Sequence, residues 1–386
     1  MTETERYVEI FRCAVNDLPL QTTGQIDCQE LWTFAKRHNI SAVISSALLG
    51  AGLVTDENRR LEWREAKYKN IRKTYLFDAE RASVYRSLAE HGIRCAPLKG
   101  IVLNRLYPVY GTREFADNDL LLDGGTADTV SEVMEALGYT RKDDPAVIHY
   151  TFHKSPMFNF ELHFRLFPKE QEELRSLARF FDSAASRMIP PVPPEEAWSL
   201  SNEDNYLFIL AHAYKHYLES GIGLRTLSDI FLFRAKVPLD ETSVAHGLKE
   251  MQIEDFAQTL EVLAEKIFSP ETAFSRSVLN AAENALLDEI LETGTFGNWN
   301  SYYNHRYDEF VAKSGKKSIL GYYRTRLFPD MEQYKDVHPV YYNHKVLRPF
   351  FYIYRPFKGL IHSRRRLLSE LRSVTQSKKS KSRNRK

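Results

Sequence analysis

The sequence predicts an α+β protein: a small mixed sheet over residues 92–169, flanked by N- and C-terminal helical regions. Three observations predict it. Apolar residues recur at helical spacing up to Gly92, the period drops to two between Ile93 and Phe167, and helical spacing returns after residue 170. A chain of 386 residues is long enough for about two or three domains with a sizeable core. Hydrophobic residues at 43% and charged residues at 27% place it among ordinary globular proteins.

Residues 1–91 read as an N-terminal helical region. Asp27 is placed to cap a helix from Gln29 to His38, in which Leu31, Phe34 and Ala35 recur at helical spacing. A second helix spans Ile40–Leu49 and stops at Gly50 and Gly52. A longer one, from about Glu57 to His91, lines Tyr68, Ile71, Tyr75, Leu76 and Ala79 along one side as its packing stripe, and Gly92 closes it. None of these residues carries a chemical motif, so this region is expected to pack rather than to react.

The segment 92–169 is the predicted α/β core. Ile93–Leu98 is a short buried strand, Lys99-Gly100 a turn, Ile101–Tyr107 a helical turn stopped by Pro108, and Gly111 a further turn. Glu114–Asp123 is an apolar strand carrying acids, ended by Gly124-Gly125, and Thr126 can cap a helix over Asp128–Leu137. Ala146–Lys154 and Met157–Phe167 form a hairpin joined at Ser155-Pro156. In its second strand Asn159, Glu161, His163 and Arg165 alternate with Phe158, Phe160, Leu162 and Phe164, so one face is polar and the other apolar. Such a polar face is either solvated or the wall of a cleft.

Residues 170–310 return to helices. Ser201 and Asp204 mark a capped helix running to about Leu218 with the stripe Leu207, Leu210, Ala211 and Tyr214. His212 and His216 lie four apart beside that stripe; Ala213 follows the first, which does not fit a zinc-type helix, so they are read as cleft-lining groups. Arg225 and Asp229, four apart on the next helix, are expected to pair, with Arg225 a further candidate for the cleft. Residues 311–361 mix Tyr and Phe with Arg and read as an aromatic, basic helical segment, and 362–386 as a basic, disordered tail. The stretch from His362 to Lys386 holds ten Lys or Arg against one Glu, so the body of the chain is mildly acidic. Such a tail can contact RNA or an anionic membrane surface weakly, or merely solubilise.

The chemistry concentrates between Leu98 and Asp123. Asp117 and Asp119, one residue apart, would share one face of a strand, roughly 7 Å apart along the backbone. Two acids spent on one face of an apolar strand are suited to holding a cation. With Glu161 from a neighbouring strand as a third carboxylate, they match the oxygen donor set of Mg²⁺ or Mn²⁺. Transfer of a nucleotidyl group needs such a site, because divalent ions must neutralise the triphosphate, activate the attacking hydroxyl and stabilise the leaving pyrophosphate. Glu161 can also take the proton of that hydroxyl. Gly100 lets backbone approach a phosphate, and Lys99 and Arg113 are the nearby cations for phosphate contact.

The run LKGIVLNRLYPVYGTREFADNDLLLD resembles the signature of a bacterial group of uncharacterised nucleotidyltransferases in the polymerase-β-like superfamily. Its elements are LKG, a short helix, YP, Gly-x-Arg and two aspartates one residue apart in an apolar strand. FELHFRLF resembles the group's acidic strand, DCQELWTFAKRHNIS its N-terminal helix, Leu210–Asp229 its histidine-containing helix with the following Arg and Asp, and Val346–Leu360 its C-terminal end. The resemblance implies a polymerase-β-like core, a divalent metal and a nucleoside triphosphate as substrate. It assigns metal to Asp117 and Asp119 and phosphate to Gly100, with Glu161 as the third acid. The acceptor it leaves open: a small molecule, a protein or an RNA end. The alternative is a nucleotide-binding regulator whose basic tail engages RNA or a membrane surface.

Three cysteines, Cys13, Cys28 and Cys95, lie far apart with no metal spacing. The start MTETERYVEIFR lacks the basic and apolar parts of a secretion signal, and the uncharged run Asn39–Thr55 is too short to span a bilayer. The expected location is the cytoplasm, with peripheral membrane contact through the tail as the variant reading.

Overall fold

Five strands form one mixed sheet: β1 (Arg94–Pro97), β2 (Asn118–Asp123), β3 (Thr140–Lys142), β4 (His149–Lys154) and β5 (Phe158–His163), in the order β1-β2-β5-β4-β3. The computed structural model describes residues 1–20, 26–142, 149–193, 196–295, 310–311, 315, 318–327 and 342–352. β2 and β5 run parallel, and every other neighbouring pair is antiparallel. The mixed sheet with flanking helices is the α+β architecture the sequence predicts.

The helices are α1 (Glu3–Val15), α2 (Cys28–His38), α3 (Ser41–Ala51), α4 (Glu57–Glu90), α5 (Gly100–Leu103), α6 (Ala127–Ala136), α7 (Arg175–Phe180), α8 (Asn202–Glu219), α9 (Leu224–Lys236), α10 (Glu241–Met251), α11 (Glu254–Phe268) and α12 (Ala281–Thr293). Several begin where the sequence placed a cap. The Asp27 carboxylate accepts from Gln29 N–H and Glu30 N–H, Thr126 Oγ1 from Thr129 N–H, and Ser201 Oγ from Asp204 N–H. Each satisfies a donor that the first turn leaves without an intrahelical partner.

The two faces of the sheet are chemically opposite. Leu120 and Leu122 of β2, Phe160 and Leu162 of β5 and Phe152 of β4 pack against Val84 and Leu88 of α4 and Val130, Val133 and Met134 of α6. Strand alternation then sends Asp119, Glu161 and His163 to the other face. Burying a large apolar side chain contributes about 1.5–3 kcal/mol, so this shared core is a main source of the hold between the sheet and α4 and α6.

The packing stripe expected on the long helix is overturned. Tyr68 and Tyr75 are 59% exposed, whereas Trp63, Asn70, Thr74, Phe77, Arg81, Val84 and Leu88 form the buried face of α4. Three polar side chains interrupt that face, and each has a partner, Thr74 Oγ1 donating to the Asn70 carbonyl at 3.0 Å. Asn70 Nδ2 donates to the Gly111 carbonyl at 2.7 Å, and Arg81 donates to the Asn118 side-chain oxygen. The acidic strand is also shorter than expected, beginning at Asn118 so that Asp117 stands just before it. The last polar residue of the predicted fourth pair, Arg165, lies beyond β5 and faces Glu170 at 4.0 Å.

The chain divides into two units, one of Met1–Tyr214 with Gly223–Thr295, the other of Lys215–Ile222 with Phe296–Lys386. The first holds the sheet and contains the regions 1–91 and 92–169 with the helices that follow to Thr295. In the second, a helix spans Ile319–Leu327, and Phe310 and Tyr322 set their rings 5.9 Å apart. The basic tail 362–386 and much of the aromatic segment 311–361 lie outside the described residues. No helix among the described residues is long and apolar enough to cross a membrane.

Candidate active site

The strand register assembles the site. In the parallel β2–β5 pair Asp119 stands opposite Glu161, and Asp117 approaches from the residue just before β2. One carboxylate oxygen from each of Asp117, Asp119 and Glu161 lies within 4.8 Å of the others. Asp119 is buried, while Asp117 and Glu161 are half-buried. The sequence placed these three acids together from alternation and strand order, and the structure brings them to one place.

Three carboxylates this close repel one another, and the proton affinities record it. Burial raises the Glu161 carboxyl, and the charges of Asp119 and Asp117 push it further, to about 7. The Asp117 carboxyl is likewise raised by burial and by Asp119. Asp119 goes the other way: burial disfavours its charge, but Lys99 and His163 outweigh that and hold it below the usual carboxylate range. Lys99 Nζ donates to Asp119 Oδ1 at 2.8 Å, and His163 Nε2 lies 3.0 Å from the same oxygen. Burial opposes the charge of Lys99 too, yet Asp119 and Asp117 keep its ammonium above the ordinary lysine value. An all-oxygen cluster that strains against its own charge and draws in an ammonium fits a divalent cation with hard-ligand preference.

Lys99 reaches this position through the turn after β1. Its backbone holds φ 47°, a region rarely occupied by non-glycine residues. Gly100, read from the sequence as backbone that can approach a phosphate, is also held to glycine by its packing. A Cβ there would stand 2.8 Å from Arg113 Nη1 and 3.4 Å from Phe115 Cβ, so only a hydrogen fits. Further along, Gly111 at φ 86° rests on Ile71 of α4, where a Cβ would meet the Ile71 Cα at 3.0 Å. Asn104 ties that loop from inside, its Oδ1 accepting from Gly111 N–H at 2.8 Å.

Arg113 is buried and bidentate to Asp229 of α9, with Nε–Oδ1 and Nη2–Oδ2 both 2.7 Å. Tyr107 donates to the same carboxylate at 2.8 Å. The expected Arg225–Asp229 pair therefore gives way to Arg113–Asp229, because a planar guanidinium from the sheet side matches the carboxylate with two parallel bonds. Arg225 instead donates to the Glu114 carbonyl. His212 sits tilted against Phe208, ring centroids 6.0 Å apart, and the Phe208 ring lies 6.0 Å from Lys99 Nζ, which sets α8 beside the cluster. His216 belongs to the second unit.

Asn118 occupies the position between the two aspartates. It is fully buried and faces α4, accepting from Arg81 and donating from Nδ2 to the Asn159 carbonyl at 3.1 Å. It braces β2 and β5 from behind and takes no part in the acidic face. Two contributors escaped the sequence reading. Lys73 of α4 donates to the Phe115 carbonyl beside Asp117, and nothing local in a charged helix marks it. His149 stands opposite His163 across β4 and β5, and its ring lies 4.9 Å from that of His163. The alternation of HYTFHK in β4, laid beside FNFELH, carried that signal.

A family sequence model described as uncharacterised nucleotidyltransferase matches residues 24–269, which contain the sheet and every residue of this cluster. No curated protein matches the chain, and no solved structure does.

Proposed function

The chain belongs to a family of uncharacterised nucleotidyltransferases, and on that premise we propose that it moves a nucleoside monophosphate group from a nucleoside triphosphate to a hydroxyl of an acceptor, releasing pyrophosphate. The observation that carries this reading is the convergence of the Asp117, Asp119 and Glu161 carboxylates within 4.8 Å on the open face of the sheet. These three residues are the ligands for Mg²⁺ or Mn²⁺, which when bound supplies charge neutralisation of the triphosphate and polarisation of the α-phosphate.

The chain's own groups then divide the work. Asp119, fixed by its pairing with Lys99 and His163, anchors the cluster. Glu161, which the strand register sets opposite Asp119, receives the acceptor's hydroxyl proton. The hydroxyl oxygen forms its bond to the α-phosphorus as the bond to the β-phosphate's bridging oxygen breaks. Lys99, 2.8 Å from Asp119, is the cation at the acids that we assign to the triphosphate, and Gly100 brings backbone without a side chain of its own to the same turn. Arg113, with its fork committed to Asp229, positions this turn rather than holding phosphate. The acceptor is a small molecule, a protein or an RNA, and the reaction takes place in the cytoplasm.

The test is Mg²⁺-dependent pyrophosphate release. Asp117→Ala and Asp119→Ala are expected to bring it to the uncatalysed background while circular dichroism keeps the wild-type form. Incubating each labelled nucleoside triphosphate with a lysate locates the acceptor by where the label lands. Absence of any Mg²⁺-dependent triphosphate binding in calorimetry sinks the proposal.

A further inference from the structure

Beside the three carboxylates, the same face of the sheet carries a second group of ligand-type side chains with different chemistry. His149 on β4 is the register partner of His163 on β5, so two imidazoles stand side by side. Glu161 leaves the same face two residues before His163. Its Oε2 lies 3.6 Å from His149 Nε2 and 3.8 Å from His163 Nε2, and one ligand atom from each of the three lies within 4.8 Å of the other two. Ligands about 2.0–2.2 Å from a shared tetrahedral ion stand roughly 3.3–3.5 Å from one another, so small side-chain adjustments close these gaps.

The His163 side chain is only 7% exposed, and the ring nitrogen it turns to the group is Nε2, which also lies 3.0 Å from Asp119 Oδ1. His149 and Glu161, at 25% and 21% side-chain exposure, leave the group open on its outer side, as a site needs if a water or substrate oxygen is to complete the coordination.

We propose that His149, Glu161 and His163 bind a divalent transition-metal ion of the zinc class, at a position distinct in ligand chemistry from the all-oxygen cluster and sharing Glu161 with it. Two imidazole nitrogens and one carboxylate suit Zn²⁺, Co²⁺ or Mn²⁺ and disfavour Mg²⁺, which prefers oxygen and keeps several waters. Asp119, with Oδ1 3.0 Å from His163 Nε2, borders both positions. The site therefore offers two unlike cation positions side by side. This binding does not require that nucleotidyl transfer be the reaction.

The experiment uses the full chain stripped of metal and titrated with Co²⁺, read by visible absorption, followed by Zn²⁺ competition. One equivalent of cobalt is expected to give the intensified bands of a histidine-ligated ion, and Zn²⁺ to remove them. His149→Ala and His149→Gln, at a half-exposed position, are each expected to weaken cobalt binding by at least about ten-fold, since loss of even an outer-sphere partner costs that much. Asp117→Ala keeps the histidine bands. A wild-type spectrum identical to aquated cobalt, or unchanged affinity in both His149 variants, overturns the inference. Calorimetry with Mg²⁺ and nucleoside triphosphate on the same samples separates the two proposals. Triphosphate binding without a cobalt–histidine signal refutes this site alone, and the reverse result upholds it while refuting the nucleotidyl reading.

Discussion

His38 shows how one buried titratable side chain shapes the response to pH. It is fully buried in the first unit, and its Nδ1 accepts from Leu224 N–H at 3.3 Å. Burial, helped by the neighbouring Arg37 charge, brings its pKa down from 6.5 to about 3. The unfolded chain therefore takes up a proton below pH 6.5 that the folded chain refuses until about pH 3. Its contribution is complete above pH 6.5 and is lost as the pH falls through that window, by about 1.4 kcal/mol for each pH unit. Urea unfolding at pH 7.5 and 5.5 is expected to show a smaller acid loss in His38→Asn than in the wild-type chain. An identical loss contradicts the assignment. Glu161 has the opposite sign: its folded carboxyl, raised to about 7, keeps a proton that the unfolded chain releases near 4.5, so it weakens the fold as the pH rises between them. Neither environment is legible from the residue itself, because proton affinity depends on which distant groups surround it.

At the scale of elements, the turn from β1 into α5 concentrates the geometric constraint. Lys99 holds the positive φ, and Gly100 leaves room for Arg113. A methyl group at position 100 must displace a guanidinium that Asp229 holds by two bonds, so it cannot be absorbed cheaply. Gly100→Ala is expected to cost about 1–3 kcal/mol, as overpacking does, and to weaken triphosphate binding. Chemical unfolding and calorimetry check the two effects separately, and a neutral Gly100→Ala would mean that Arg113 has room to move. The long helix gives the complementary case. Its buried face was misread because Asn70 and Arg81 interrupt the apolar pattern, and polar residues are accepted inside only where a partner from elsewhere in the chain awaits them. The strands were easier to read: Phe160, Leu162 and the facing polar residues alternate without interruption, and that alternation alone decided which side of the sheet would carry Glu161.

For the molecule as a whole, the Arg113–Asp229 pair fastens the loop before β2 to α9, more than a hundred residues later in sequence. Both side chains are 6% exposed, so each charge depends on the other. Removing one partner leaves a buried charge unmatched, a loss of about 3–5 kcal/mol. Asp229→Ala is expected to lower global stability by that amount in urea unfolding, whereas Arg113→Met with Asp229→Leu recovers most of it. If Asp229→Ala unfolds like the wild-type chain, the pair does not bear the packing described. Arg225, which by spacing alone was the natural partner for Asp229, turned instead to the Glu114 carbonyl. Helical spacing brings two side chains near each other, but the better-matched donor geometry, supplied from another element, decides the pairing.

The sequence by itself determined the α+β class, the place of the sheet, the faces of its strands and the three carboxylates of the candidate site. These follow from local rules: period two against period 3.6, cap residues at helix starts, and alternation that assigns every second side chain to one face. The tertiary structure alone decided that Arg113 serves Asp229 and that Asn118 braces the back of the sheet. Those outcomes depend on strand register and on contacts between residues far apart in the chain. No local pattern carries them, because the free energy that selects each partner exists only once the surrounding elements have packed.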